Sequence, residues 1–454
     1  IPEDVLVSMR ESGLAHLLAI SGLHIGLVAG LLFFSVRLSL ALWERGALRY
    51  PIKKWAALAA LLGSLGYLLI SGSTLPTQRA FLMLCFVMLA VLIDRSAISM
   101  NLVAWAAAVI LLMAPESLMS VSFQMSFAAV TALVATYEFN LVRRTTGGHA
   151  TRTRRIGAYF GAVLLTTLVA GLATAPFALY HFNQIALYGM LANFLAVPLT
   201  ALWIMPFAIL GFLLMPLGLE QMALIPMGWG IDGVIAIAQF VQALPGSVAA
   251  FPPMPSWGLG FIAVGGLWMC LWLTAWRWFG MIGIMAGFAA IAWVETPDIL
   301  ISDTGKMVAV KQRDGLLAFS SQPRGFVAET WLRRAGIRVS PGKKGRALAP
   351  RLSKTQCDGL GCIIRSKGHV IALAHHMAAL PDDCVTASLV VSRMPVKKWR
   401  CTRPLEIVDR FSVWRNGAHA VYLSDGGTIR TETVGSRGGK RPWSRYPRTR
   451  NKNQ

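Results

Sequence analysis

The chain has 454 residues, of which 55% are hydrophobic and only 14% are charged. Soluble globular domains carry about 25% charged residues, so this composition excludes an ordinary soluble protein and predicts a polytopic α-helical membrane protein. The net charge of +22 is uneven: residues 1–295 contain 14 Lys and Arg against 10 acids, and residues 296–454 contain 29 against 11. We therefore expect an apolar front part and a basic, water-soluble rear part that favours an anionic partner, either nucleic acid or lipid headgroups.

Ten apolar runs are long enough to cross ~30 Å of hydrocarbon. They lie at about 15–42, 56–72, 80–94, 98–115, 120–138, 157–181, 186–214, 219–244, 257–277 and 279–295. If the N-terminus is outside, eleven Lys and Arg fall in inner loops and only Arg79 falls in an outer loop, a strong positive-inside bias. An even number of spans then places the rear part outside the membrane. The sequence begins at Ile1, and no charged n-region or cleavage site precedes the first apolar run, so we expect the later part of a longer protein, with residues 1–13 as an outer segment.

The first run contains an unusual segment, Leu17–Gly30 (LLAISGLHIGLVAG). Glycines recur in it every four residues and form one smooth stripe, which would let another helix approach closely. These glycines are Gly22, Gly26 and Gly30. His24 and Ser21 lie on nearly the opposite side of the helix. Two interpretations stay open: a polar face that lines a wet cavity, or a membrane histidine bonded to a neighbouring carbonyl.

Further polar residues interrupt the apolar runs and favour a hydrated passage between the helices. They are Ser73, Pro76, Gln78 and Arg79 after the second run, Gln124 and Ser126 in the fifth, His181 and Asn183 ending the sixth, and Asn193 and Pro198 in the seventh. Each could instead belong to a solvated loop or make an interhelical hydrogen bond worth ~1 kcal/mol. Because proline removes a helix hydrogen bond, the seventh run is predicted to be two half-helices or one kinked helix.

The rear part, 296–434, alternates short β-rich runs with Gly-rich or charged turns and contains one amphipathic helix, at 326–335. This pattern predicts an α/β sandwich. The β-rich runs lie at 307–310, 315–319, 370–373 and 388–391. Residues 435–454 carry seven cations and no acid, which predicts a disordered tail that holds phosphate or lipid loosely by charge.

The rear part also contains four cysteines, Cys357, Cys362, Cys384 and Cys401. Their spacing fits a zinc site poorly. An even number of cysteines in an oxidising outer compartment indicates disulfides instead. Of the three possible pairings we favour Cys357–Cys362 with Cys384–Cys401.

Five motifs along the front part occur in a recognisable order. They are SGLHIG at 21–26, GSTLPTQRA at 72–80, Asp94-Arg95 followed by Asn101, SFQMSF at 122–127, and HFNQIALYGMLANFLAVPL at 181–199. Together they resemble the ComEC-type competence family over about residues 14–290. The resemblance implies a channel in the bacterial inner membrane, residues 14–295, that passes one DNA strand during natural transformation. Its implied partners are single-stranded DNA, the lipid bilayer and other competence proteins, and no cofactor is implied.

The resemblance also implies a metallo-β-lactamase-like fold for residues 296–434, on the periplasmic or extracellular side. Active members of that fold hold two metals through an H-x-H-x-D-H box, which this sequence lacks. Its histidines there are His369, His375, His376 and His419. Neighbours on a strand point to opposite faces, so His375 and His376 would not face one metal; a set of His369, Asp382 and Asp383 is the alternative. We expect a degenerate domain that binds DNA and is not an enzyme. Two other hypotheses stay open: a secondary transporter for a small anionic solute, and a membrane-anchored metal-dependent hydrolase.

Overall fold

A computed structural model describes residues 1–18, 22–96, 98–139, 152–312, 314–337, 341–342, 346–347, 352, 357–424 and 427–439. The chain divides into two compact units. Unit 1 comprises residues 1–249 and 254–292, and unit 2 comprises residues 250–253 and the chain from Trp293 onward.

Unit 1 is built almost entirely of helices, as its apolar composition predicts. They are α1 (Glu3–Glu11), α2 (Ala15–Leu18), α3 (Gly22–Ala41), α4 (Glu44–Arg49), α5 (Ile52–Ile70), α6 (Leu75–Leu92), α7 (Met100–Met113), α8 (Val121–Glu138), α9 (Arg152–Phe182), α10 (Gly189–Leu199), α11 (Met205–Leu214), α12 (Gln221–Ala243), α13 (Ser256–Leu271) and α14 (Gly280–Ala289). Two short strands, β1 (Gln184–Ala186) and β2 (Val248–Ala250), pair with each other.

Among the described residues, six helices are long and apolar enough to cross a membrane. They are Gly22–Ala41, Ile52–Ile70, Gly157–Phe182, Gly189–Leu217, Gln221–Ala243 and Ala275–Trp293. Three further apolar helices, Pro76–Leu92, Met100–Met113 and Ser256–Leu271, are shorter. Each of the ten apolar runs of the sequence coincides with a helical segment, while a total of ten membrane crossings stays a prediction.

The seventh apolar run does not separate into two half-helices. Helix α10 passes through Pro198 and continues as a π-helical stretch, Thr200–Ile204, directly into α11. The Thr200 hydroxyl donates a hydrogen bond to the Ala196 carbonyl oxygen at 2.8 Å. A π-helical turn accommodates an irregularity in the hydrogen-bond ladder without unwinding the backbone, so the proline is absorbed inside one continuous helical run.

The N-terminal segment 1–13, predicted to be an outer segment, belongs to unit 1. Met9 and Leu14 are buried together with Ala192 of α10 and Val234 of α12. The Ser8 hydroxyl donates to Gln242 at 2.6 Å, and the Gln242 amide donates to Glu11 at 3.1 Å. Helix α1 is therefore attached to the end of α12 by both apolar packing and hydrogen bonds.

Unit 2 contains two main sheets. The first has the order β13-β12-β3-β4-β5 and is antiparallel; the second has the order β11-β10-β9-β8, with β9, β10 and β11 parallel and β8 antiparallel to β9. The strands are β3 (Ile299–Ile301), β4 (Val308–Lys311), β5 (Leu317–Phe319), β6 (Pro341–Gly342), β7 (Arg346–Ala347), β8 (Gly361–Ser366), β9 (His369–Ala374), β10 (Leu389–Ser392), β11 (Glu406–Val408), β12 (His419–Leu423) and β13 (Ile429–Thr433), with β6 and β7 forming a small separate pair. The helices are α15 (Gly325–Arg334), α16 (Leu380–Thr386), α17 (Arg410–Asn416) and α18 (Val434–Gly438).

The two sheets enclose the main core of unit 2, and a helix covers the outer face of each. Alternate residues of one strand point to opposite faces: on β9, Ile371 and Leu373 join the core between the sheets, while Ala372 packs outward. That outer face is covered by α16 through Cys384. The outer face of the other sheet is covered by α15 through Ala328 and Leu332. Unit 2 is therefore a four-layer helix–sheet–sheet–helix sandwich, in agreement with the α/β pattern of the sequence.

The start of the predicted disordered tail is ordered. The Thr433 hydroxyl accepts a hydrogen bond from the Ser436 amide, and the Ser436 hydroxyl accepts one from the Thr433 amide. This reciprocal capping box starts α18 and satisfies amides that a helix otherwise leaves free at its N-terminus. Residues 440–454 lie outside the described residues.

Candidate functional site

The turn before α6 is built so that Arg79 is presented one turn inside the helix. Gly72 and Ser73 have φ of 79° and 48°, and the Ser73 hydroxyl donates to the Leu68 carbonyl at 3.2 Å. The Gln78 amide donates to the Ser73 carbonyl at 2.8 Å, and Pro76 occupies the first turn of α6, where a missing N–H costs nothing. Ser73, Pro76 and Gln78 therefore shape the turn, and Arg79 is the residue that reaches a neighbouring helix.

Arg79 connects α6 to the start of α8. Its guanidinium donates to the Ser120 hydroxyl at 3.3 Å and also to the Ser122 hydroxyl. Ser120 is the N-cap of α8 and accepts the Phe123 amide at 3.2 Å. Both partners are neutral hydroxyls, and a guanidinium that contacts hydroxyls in place of a carboxylate can attract an anion.

Gln124, also in the first turn of α8, joins α8 to α9. Its side-chain carbonyl lies 2.8 Å from Nε2 of His181, and its amide donates to the Leu118 carbonyl at 3.0 Å. The first turn of α8 thus carries Ser122 and Gln124, which contact a cation on one neighbouring helix and an imidazole on another. We call Arg79, Ser120, Ser122, Gln124 and His181 the polar cluster. Ser126 lies one turn further along α8, exposed, and in the described residues no hydrogen bond joins it to the cluster.

The glycine stripe of α3 does not pack as predicted. A methyl group added at Gly26 or Gly30 would meet no atom within 4 Å, and one at Gly22 would only touch Ala80 at 3.7 Å. The face of α3 that is buried contains Ile25, Val28 and Ala29 instead. Ala29 packs against Ala57 and Ala60 of α5, while the glycine stripe stays open on another side. His24 is half-buried, and Ser21 lies outside the described residues.

Two asparagines carry buried polar atoms. Asn183 ends α9 with φ of 55°, a left-handed conformation that asparagine tolerates well at the end of a helix. Its Nδ2 and the Oδ1 of Asn193 in α10 have no hydrogen-bond partner among the described residues. Since buried polar atoms in native proteins are nearly always satisfied, water is the expected partner at both positions.

An acidic residue that the sequence analysis did not single out lies at the middle of a candidate span. Asp232 is the twelfth of the 23 residues of α12 and is exposed. It lies two residues from each of the buried Gly230 and Val234, and hence about 200° around the helix from them. It is the one acid in the six candidate spans. A count of acids per apolar run would have found it, because an ionisable residue at the bilayer midplane is costly and usually functional.

Unit 2 presents a cationic segment with an exposed aromatic ring. We call residues 395–403 (PVKKWRCTR) the basic loop; it holds four cations and no acid. Trp399 is 67% exposed, with the Arg400 guanidinium carbon 4.4 Å and the Lys397 nitrogen 5.8 Å from its ring centre. A cation beside an exposed indole is an arrangement that suits stacked bases and phosphates.

Both ends of the basic loop are fastened to the sandwich. Cys401 is joined to Cys384 of α16 by a disulfide, and the Val396 amide donates to the Asp409 carboxylate at 3.1 Å. A second disulfide joins Cys357 to Cys362. The pairing in the structure is thus the one favoured from the sequence.

The histidines of unit 2 are dispersed rather than gathered around a metal site. His375 and His376 are not on a strand, as supposed from the sequence, but follow the end of β9, and both backbone amides donate to the Leu360 carbonyl. His369 contacts the Ser424 carbonyl at 3.2 Å, and His419 the Gly417 carbonyl at 2.8 Å. Within the described part of the chain, no three His, Cys, Asp or Glu side chains are grouped to hold a metal ion.

These features define a helical membrane protein that also carries a basic, disulfide-linked sandwich unit. A family model described as "Competence protein" matches residues 1–276, well over half of the chain. The chain belongs to this Competence protein family.

The chain is also similar to individual members of known name. It is 28% identical over 218 residues to "ComE operon protein 3" of Bacillus subtilis. The matched region covers 48% of this chain and 25% of that protein. It is 28% identical over 237 residues to "Recombination protein 2" of Haemophilus influenzae, covering 51% and 29%, and 32% identical over 205 residues to "Competence protein ComA" of Neisseria gonorrhoeae, covering 45% and 27%. The chain thus matches little more than a quarter of the length of these relatives. No solved structure matches.

Proposed function

We propose that this protein forms a passage for single-stranded DNA through the bacterial inner membrane during natural transformation. Unit 1 supplies the passage, and unit 2, on the periplasmic or extracellular side, binds DNA without hydrolysing it. Membership of the Competence protein family supports the DNA-uptake role, and the apolar helices support the membrane location.

The polar cluster is the observation that carries the proposal. A charged guanidinium contacts two hydroxyls between α6 and the start of α8, and an amide contacts an imidazole between α8 and α9, within an apolar unit. Polar residues in membrane proteins commonly face a water-filled cavity or a substrate path. Arg79 offers a positive charge to the phosphates of a strand, while the neutral partners offer weak, replaceable hydrogen bonds that do not trap it.

The proposal for unit 2 rests on its charge and on its layered architecture. Two sheets enclosed by a helix on each outer face are what a metallo-β-lactamase-like sandwich would require, and we propose a degenerate member of that fold. Its dispersed histidines support binding without metal-dependent hydrolysis. The basic loop supplies an exposed indole for stacking and cations for phosphate contacts.

Uptake of labelled DNA tests the main proposal. Cells that lack the gene are given fluorescent DNA, and cytosolic fluorescence is measured with the wild-type chain or no chain restored. We expect uptake only with the chain restored. Equal cytosolic DNA in cells without the chain would contradict the proposal.

The basic loop is tested by DNA binding of the full chain in detergent. We expect Trp399→Ala to weaken binding of single-stranded oligonucleotides about tenfold, since stacking of one base contributes ~1–3 kcal/mol, and Trp399→Phe to retain most of the affinity. Trp414→Ala, which removes another exposed tryptophan of unit 2, serves as the matched control. If Trp399→Ala weakened the binding of double-stranded and single-stranded DNA equally, base stacking on Trp399 would be contradicted.

A secondary transporter for a small anionic solute is a second candidate function. Asp232 at the middle of α12 and the π-helical stretch after Pro198 favour it, because transporters place ionisable residues and irregular helices near the bilayer midplane. Saturable uptake of a solute into proteoliposomes without DNA would support this second candidate over the channel.

A further inference from the structure

Strand ends from both sheets of unit 2 meet at one edge of the sandwich and leave a depression there. Its polar rim consists of Lys306 in the turn between β3 and β4, Ser320 after β5, His375 after β9 and Arg393 after β10. We call it the edge pocket. It is a shallow depression open to solvent, with a cavity volume of about 10 Å³. Four separate chain segments therefore bring nitrogen and hydroxyl groups to one place.

The backbone of the edge pocket is held in position by its own hydrogen bonds. The Ser302 hydroxyl accepts the Met307 amide at 3.1 Å, which closes the turn that carries Lys306. The Arg393 guanidinium donates to the Lys306 carbonyl at 2.8 Å and so ties the first sheet's turn to the end of β10. The Ser320 oxygen accepts the Val308 amide at 3.1 Å, which leaves the Ser320 hydroxyl proton to donate elsewhere.

The edge pocket has two cations on its rim, and the carboxylate of Asp358 acts electrostatically on its imidazole. In the part of the chain that the structure describes, neither Lys306 nor Arg393 forms an ion pair with a carboxylate. Burial, and then the charge of Arg393, lower the pKa of His375, while Asp358 acts in the opposite direction. At neutral pH the pocket therefore combines two cations with a neutral imidazole and a hydroxyl. The positive charges of Lys306 and Arg393 both favour an anion at this rim.

We propose that the edge pocket binds a phosphate group and that its ligand is the terminal phosphate of a nucleic acid strand. A terminal phosphate carries a charge of about −1.5 to −2 at neutral pH, which matches two cations, whereas an internal phosphodiester carries one charge. Arginine pairs with phosphate through two parallel N–H donors, and lysine adds a point charge. The choice of a nucleic acid rests on the proposed function, and free inorganic phosphate presents the same chemistry.

The test measures binding of fluorescent single-stranded oligonucleotides to the full chain in detergent at constant ionic strength. Three probes of one sequence carry a 5′-phosphate, a 3′-phosphate or only hydroxyl ends. We expect one phosphorylated probe to bind about tenfold more tightly than the hydroxyl probe, equivalent to ~1.4 kcal/mol. Inorganic phosphate, with chloride reduced to keep ionic strength constant, should abolish that difference.

Variants separate the edge pocket from general charge. Lys306→Gln and Arg393→Gln should each remove the preference for a terminal phosphate. The Lys306 side chain is exposed, and Arg393 contacts only the backbone carbonyl of Lys306. Lys306→Gln therefore keeps the hydrogen bond that supports the turn. Arg365→Gln, an exposed cation on β8, removes the same charge elsewhere and should leave the preference unchanged.

The possible outcomes distinguish the pocket from the proposed function. Equal affinity for all three probes, or a preference that survives in both pocket variants, would overturn the proposal. Calorimetric binding of inorganic phosphate that Lys306→Gln abolishes, in a chain that binds no oligonucleotide, would support the phosphate site while refuting its nucleic acid ligand and the DNA-binding role of unit 2. A normal terminal-phosphate preference together with unaffected DNA uptake in cells lacking the chain would support the pocket and refute the channel.

Discussion

Replacement of Arg79 by methionine is expected to lower DNA uptake strongly while leaving a folded protein. The change removes two hydrogen bonds, to Ser120 and Ser122, each worth ~0.6–1.7 kcal/mol within a membrane. The combined loss of ~1–3 kcal/mol is smaller than the ~5–15 kcal/mol that stabilises a typical folded protein. If the guanidinium also contacts a passing phosphate, a charged hydrogen bond of ~1.5–3 kcal/mol is lost at the barrier, which lowers uptake ~10- to 100-fold.

Uptake of labelled DNA into the cytosol, divided by the amount of protein in the membrane, measures this effect. Ser122→Ala is the matched control, because it removes one of the same hydrogen bonds but keeps the positive charge. Its uptake should stay within about fivefold of wild type, as expected for a loss of up to ~1 kcal/mol. Wild-type uptake with Arg79→Met would refute the reasoning. An equally large loss with Ser122→Ala would show that Arg79 acts only by holding α6 against α8.

Asp232→Asn keeps the size of the side chain but removes its charge, and DNA uptake should change severalfold if this face of α12 lines a hydrated path. Leu224→Val, at another exposed position of α12, should leave uptake unchanged. Unchanged uptake with Asp232→Asn would assign that face to lipid. Cys384→Ser opens a disulfide that spans 17 residues and should lower the stability of unit 2 by about 3 kcal/mol. Hydrogen exchange in β10 should then become faster. Unchanged exchange in β10 would show that the disulfide does not form. Burial lowers the pKa of His419 below the ~6.5 of the unfolded chain, so the stability that its neutral form contributes is complete above pH ~6.5 and is lost as the pH falls below it. Exchange in β12 should therefore accelerate between pH 7.5 and 5.5, after correction for intrinsic rates, and His419→Gln should reduce the acceleration; an identical pH dependence in that variant would contradict the assignment.

The sequence was most informative where one physical pattern dominates. Apolar runs indicate helices because each must satisfy its own backbone in hydrocarbon, and all ten runs coincide with helical segments. Alternating β-rich runs such as 307–310 and 388–391 indicate the sandwich, since one face of each strand must be buried. Charge counts also separated the apolar part from the basic one.

Predictions were weaker where the outcome depends on which helix face finds a partner. The spacing of Gly22, Gly26 and Gly30 is suitable for close packing, but Ala29 packs against α5 instead. Spacing along one helix cannot reveal which face its neighbour offers. The contact between Gln124 and His181 joins residues 57 apart and likewise depends on tertiary packing. Asp232, in contrast, could have been recognised from the sequence alone.

Photo-cross-linking during uptake tests the central claim most directly. A photoreactive amino acid replaces Gln124 in the polar cluster or, as a control, Leu112 of α7, which is 83% exposed. Labelled DNA is added to competent cells, the cells are illuminated during uptake, and DNA covalently attached to the chain is measured. The passage account predicts that DNA is attached from position 124 and not from position 112. Active uptake with no attachment from position 124, or with equal attachment from both positions, would contradict it.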